Sequence, residues 1–184
     1  AGVDDGCVAV FLVGWHAKAM TTGVLAHTIN STAFARVIVN GDEAGELALY
    51  GGVAAEFGAP VAFVSGDDRC VAEAAALFPS AVGVAVKTAH GHRSATSLSP
   101  AAACAAIEAG ARAAAQRIAA LRIAPQKTPL NVRVQAASPA YADLYAMLPL
   151  VRRIDAVTLE FVSPTMRHAV RVLNSLSAMS FMLR

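Results

Sequence analysis

The sequence predicts an α/β protein of mixed α/β and α+β layers, with strands alternating with helices. Two observations predict it. Six short apolar runs, each with two or more valines, recur along the 184 residues, and their length is that of strands rather than helices. Between them stand stretches with helical spacing or capping signals, and such alternation builds layered sheets and helices.

The strand runs are Cys7–Val13, Phe34–Val39, Val61–Ser65, Val82–Lys87, Leu130–Gln135 and Val157–Val162. After the second run, Asn40-Gly41 signals a turn. A helix then runs to about Phe57, with Leu47, Tyr50, Ala54 and Phe57 at helical spacing. Asp67 or Asp68 can cap a helix through Leu77. Three Ser-Pro pairs follow, at Ser99-Pro100, Ser138-Pro139 and Ser163-Pro164. Each sets a capping hydroxyl before a proline suited to a first helical position. The predicted helices reach about Ile118, Met147 and Met182. The Pro-flanked stretch Ala124–Thr128 is the best linker. It divides residues 1–124, which carry the chemistry, from a strand-helix-strand-helix subdomain at 125–184; one continuous domain is the alternative.

Composition excludes several classes. Lysine and arginine total 15 against 13 acidic residues, a net charge of +2. That balance gives no basis for nucleic acid or an anionic membrane as partner. The chain is 56% hydrophobic with mean hydropathy +0.52, yet no apolar run reaches a membrane span. Val172–Leu183, broken by Asn174 and serines, belongs to a buried helix instead. Three cysteines, Cys7, Cys70 and Cys104, lack paired spacing and suit a reduced, cytoplasmic setting. No methionine opens the chain, and a buried strand follows within a few residues, which suits a fragment. Phosphate-binding glycine loops and Ser or Cys nucleophile motifs do not occur.

The chemistry concentrates between Gly14 and Glu46. His16 follows the first strand's carboxyl end, where ligands bind in open α/β sheets. His27 lies eleven positions later, too far for one helical face. Glu46 falls in the first turn of a helix, where the macrodipole alone favours a carboxylate. Histidine nitrogen and carboxylate oxygen are the donors of hydrolytic zinc sites. His90-Gly91-His92 is a second candidate pair, but glycine and the following Arg93 read as a solvent-exposed turn. Lys87 and Arg93 can bind a substrate carboxylate or merely solvate a strand end. Asp67-Asp68-Arg69, after a strand and Gly66, can line the site, but helix capping explains it without more.

Gly14-Trp15-His16-Ala17, Gly23–Thr28 and Gly45-Glu46-Leu47 together resemble the DppA-type zinc D-aminopeptidases, a family associated with bacterial dipeptide-transport operons. The resemblance continues through Pro60–Arg69, Ala85–Thr88, Arg93–Ala95 and Leu98–Ala101, and more weakly to the carboxyl end. It implies a metallo-aminopeptidase that releases amino-terminal D-residues from short peptides, with two zinc ions per complete site. His16 matches the family's Gly-Tyr-His-Ala ligand motif and Glu46 its Gly-Glu-Leu motif, each on a different ion. His27 matches the catalytic histidine, as nucleophile or as acid–base group. Substrate-binding residues stay unassigned. Closed homo-oligomers with inward-facing sites are also implied. The family's Asp-x-Glu-Gly and Asn-Asp-Ser-His-like ligand motifs do not occur here. The chain alone is therefore expected to hold zinc weakly and lack activity. The alternative is a non-catalytic oligomerisation or interaction domain that keeps the fold.

Overall fold

The computed structural model describes residues 2–124 and 126–183; Pro125 of the predicted linker lies outside the described residues. Two sheets make the frame. The first has four strands, in the order β1 (Val10–Trp15), β4 (Val61–Asp67), β5 (Val82–Gly91) and β6 (Ser94–Ser97). Its first three strands are parallel and β6 is antiparallel. The second has five, in the order β3 (Asp42–Glu43), β2 (Phe34–Val39), β7 (Leu130–Ala136), β9 (Thr158–Ser163) and β8 (Arg152–Arg153), all antiparallel. This sheet draws strands from both sides of residue 124.

β4 is buried at every residue, as an apolar run in a parallel sheet requires. Helix α2 (Asp68–Leu77) packs on β4 and β5, and so does α3 (Pro100–Ala115). Val64 joins Cys70 and Ala74 of α2 in one cluster, while Phe63 joins Ala114 of α3 in another. β7 alternates buried and exposed residues, the signature of a sheet covered on one side. Its inward Leu130, Val132 and Val134 meet α4 (Pro139–Tyr145) and α5 (Met166–Met179). Outward, Arg133 and Arg152 both pair with Glu160.

Helix α1 (Glu46–Glu56) joins the two sheets. Its Leu47 belongs to the cluster under the first sheet and its Leu49 to the large core of the second. Gly51 and Gly52 sit mid-helix, where glycine costs about 1 kcal/mol relative to alanine. The reason is close approach on both sides. A Cβ on Gly51 would stand 2.5 Å from the Phe78 ring, and one on Gly52 3.0 Å from Met166 of α5. At its far end α1 supplies Glu56, whose carboxylate accepts the amides of Met166 and Arg167 and so caps α5. α1 thereby delivers Glu46, at its first turn, to the junction of the sheets.

Several elements differ from the sequence expectation. β1 spans Val10–Trp15 rather than Cys7–Val13. Residues 4–7 are held in a turn by Asp4, whose carbonyl and carboxylate accept the amides of Cys7 and Gly6. The strand instead continues through Gly14, whose amide donates to Ser65 Oγ at 3.1 Å, to Trp15, paired with Gly66. His16 therefore follows the strand directly. β5 runs on to Gly91 and returns as β6, so His90-Gly91-His92 belongs to a hairpin. Of the three Ser-Pro pairs, Ser99 alone caps as expected, accepting from the Ala102 amide. Ser138 precedes its helix without a side-chain cap bond. Ser163 ends β9, and Thr165 caps α5 instead. α5 stops at Met179; Phe181, Met182 and Leu183 are exposed rather than part of a buried helix.

Candidate metal centre

The structure brings His16, His27 and Glu46 together. His16 Nε2 lies 3.8 Å from Glu46 Oε2, and His27 Nε2 lies 3.6 Å from Glu46 Oε1. The two imidazoles stack with centroids 4.0 Å apart and planes at 21°. One ligand atom from each of the three falls within 4.8 Å of the others.

The rings are oriented by backbone carbonyls. His16 Nδ1 meets the Ala17 carbonyl at 3.1 Å, and His27 Nδ1 meets the Leu25 carbonyl at 2.8 Å. A carbonyl only accepts, so each Nδ1 carries a proton, and a ring in its neutral form offers a bare Nε2. Metal-ligating histidines are held in this way. Glu46 is oriented too: Oε1 accepts the Ile29 amide at 2.7 Å. Zinc bonds imidazole nitrogen and carboxylate oxygen at roughly 2.0–2.2 Å. At the tetrahedral angle zinc favours, two such bonds set their donor atoms about 3.4 Å apart, so the observed 3.8 and 3.6 Å need close by only a few tenths of an ångström to share an ion. All three side chains are only partly exposed.

The loop from His16 to Ile29 is fastened from several directions. Asp67, buried, caps α2 with Oδ1 on the Cys70 amide, 2.7 Å, and holds the Val24 amide with Oδ2, 2.6 Å. Glu73 of α2 accepts the Lys18 amide at 2.8 Å. Burial pushes the Glu73 pKa up, while that amide and the charges of Lys18 and His16 pull the other way. Thr28 Oγ1 accepts the Ala19 amide, and the His27 amide reaches the Ala17 carbonyl. Gly45, one residue before Glu46, is where these parts meet. A Cβ there would lie 2.5 Å from Glu73 Oε1 and 2.6 Å from Lys18 Cβ. The glycine of the Gly-Glu-Leu motif is thus a packing requirement. On the next turn of α1, Tyr50 sits edge-on to Trp15 at 5.8 Å. Its pKa is raised by burial and then by the Glu46 charge, with Asn174 opposing.

Leu25 and Ile29 hold φ of 51° and 62°. The left-handed region costs a residue with a Cβ about 1–2 kcal/mol, and a β-branched residue there is an outlier. The two bracket His27.

The motifs mark the trio but not its supports. Asp67 caps α2 as expected, and its second oxygen serves the loop as well. Glu73, Leu25 and Ile29 carry no motif. His90 and His92 stand apart from the trio in the exposed hairpin, His90 Nε2 being 2.8 Å from Thr96 Oγ1. No helix among the described residues is long and apolar enough to cross a membrane.

The geometry has parallels in known proteins. The D-aminopeptidase family model (peptidase M55) matches residues 1–175. A D-aminopeptidase of Bacillus subtilis (strain 168) is 36% identical over 100 residues, 54% of this chain and 36% of that protein. A solved structure, described as the Zn-dependent D-aminopeptidase DppA from Bacillus subtilis, a self-compartmentalizing protease, superposes with TM-score 0.92 at 25% identity. The match covers 98% of this chain and 66% of that one.

Proposed function

Because this chain belongs to the D-aminopeptidase family, we propose that it serves zinc-dependent hydrolysis of short peptides at an amino-terminal D-residue. The observation that carries the reading is the convergence of His16, His27 and Glu46 within hydrogen-bonded supports. His16 and Glu46 act as metal ligands and share one ion rather than holding one each, as their 3.8 Å separation favours. A bound zinc ion supplies a Lewis acid that lowers the pKa of its water toward about 7. His27, with Nδ1–H committed to Leu25, moves a proton at Nε2, either from the attacking water or to the leaving amine. Glu46 Oε1, fixed by the Ile29 amide, stands 3.6 Å from that nitrogen and stabilises the imidazolium once Nε2 has taken a proton. A second ion requires donors beyond this trio. The solved relative's self-compartmentalizing description supports a homo-oligomer here. Three free cysteines fit a reducing, cytoplasmic setting.

The test is release of D-alanine from D-alanyl-D-alanine by zinc-loaded protein, compared with L-alanyl-L-alanine, with zinc measured on the same sample. The reading expects little or no release by this chain alone, and zinc-dependent, D-selective release that His16→Ala abolishes once a polypeptide carrying the Asp-x-Glu-Gly and Asn-Asp-Ser-His-like motifs is added. Release that persists after zinc removal, or preference for the L-dipeptide, would refute it. Stoichiometric zinc without turnover on either dipeptide, even with that polypeptide present, would favour the non-catalytic alternative.

A further inference from the structure

Strain in a left-handed residue persists only where the surroundings over-determine it. Around Leu25 the determinants are visible. Its amide donates to the carbonyl of His92, at the tip of the β5–β6 hairpin, at 2.8 Å. The preceding amide, of Val24, is held by Asp67. Its own carbonyl accepts from His27 Nδ1. Leu25 is 55% exposed, so burial does not explain the conformation.

We infer that Leu25 is a positioning residue for His27. Its backbone, anchored by the hairpin tip and by Asp67, selects the Nδ1–H tautomer and turns the bare Nε2 toward Glu46. An unconstrained neutral imidazole exchanges between two tautomers, and the wrong one would present a donor where the site needs a lone pair. Ile29 completes the device from the other side. Its amide fixes Glu46 Oε1, so one strained segment sets both partners of the 3.6 Å approach. The exposed hairpin gains a function by the same route: its His92 carbonyl buttresses the segment that orients His27. The inference rests on the reading of His27 as the group that moves a proton at Nε2.

The experiment is long-range nitrogen–proton correlation NMR on the full chain, metal-free, with 15N-labelled histidine. It is recorded at about pH 8.5, where an ordinary imidazole is neutral. His27 is expected as the Nδ1–H tautomer. Leu25→Gly accepts a positive φ and keeps both backbone groups, so the His27 signal should stay. Leu25→Pro fixes φ near −65° and has no amide, so His27 should become a mixture of tautomers. His16, bonded to the Ala17 carbonyl, should not change. An Nε2–H tautomer or an even mixture at His27 in the unaltered chain would overturn the inference. So would an unchanged Nδ1–H signal in Leu25→Pro. The unaltered chain decides the matter even if the proline variant does not fold. Because the spectrum needs neither zinc nor substrate, its failure is distinct from failure of the peptidase reading.

Discussion

Gly45→Ala adds one carbon at the most crowded point beside the site. Gly45 has φ −89° and ψ −179°, a conformation alanine adopts freely, so any cost is steric. The new Cβ would lie 2.5 Å from Glu73 Oε1, 2.6 Å from Lys18 Cβ and 3.1 Å from Lys18 Cα. The last atom is backbone and cannot rotate away. Overpacking of this kind costs about 1–3 kcal/mol. Loss of glycine's freedom in the unfolded chain returns about 0.4–1 kcal/mol. The net expectation is a destabilisation of about 1–2 kcal/mol, or roughly 2–8 °C in Tm for a chain of this length. Urea denaturation should show a lower midpoint at unchanged slope. Part of the clash involves Glu73, so Gly45→Ala should cost less in a Glu73→Ala background, with a coupling of at least about 0.5 kcal/mol. Zinc affinity should fall too, because Lys18 is two residues from His16 and Gly45 is next to Glu46. An unchanged or higher midpoint would refute the packing argument.

His27→Ala should keep the zinc content and lower turnover at least about a hundredfold, the scale of removing an acid–base group; zinc lost in parallel would make His27 a third ligand. Glu56→Ala leaves the amides of Met166 and Arg167 without their acceptor and should cost about 1–2 kcal/mol, read by the same urea titration; no shift would mean that Thr165 alone suffices. Burial, with the charges of Asp67 and Glu73, pushes the Cys70 thiol up to about 12. Cys70 should therefore resist alkylation near pH 8 while exposed Cys104 reacts, as mass spectrometry would show. A native thiol that keeps its proton above the unfolded value, near 9, makes stability fall as pH rises from there toward 12; a Cys70→Ala variant should lack that part of the decline.

What was legible in the sequence was local. β2 and α2 occupy the predicted residues, because an apolar run and a capping carboxylate act within a few positions. The trio was legible through its motifs, since Gly-Trp-His-Ala and Gly-Glu-Leu keep each donor beside the backbone that aims it. Strand order was not. β2 pairs with β7 nearly a hundred residues later, and periodicity carries no information on partners. His90-Gly91-His92 reads as a solvent-exposed turn, which it is, but the returning strand β6 carries no apolar run to mark it, being short, mostly polar and exposed throughout. Glu73, the second oxygen of Asp67, the Leu25 amide and the Ile29 amide bond to groups distant in sequence. Nothing in their local sequence marks them.

The central claim is that His16 and Glu46 share a zinc ion facing His27. Anomalous diffraction at the zinc edge, from crystals of this protein soaked in zinc, tests it most directly. The account predicts a peak bonded by His16 Nε2 and Glu46 Oε2. Zinc bound instead at His90 and His92, with no peak at the trio, would contradict it.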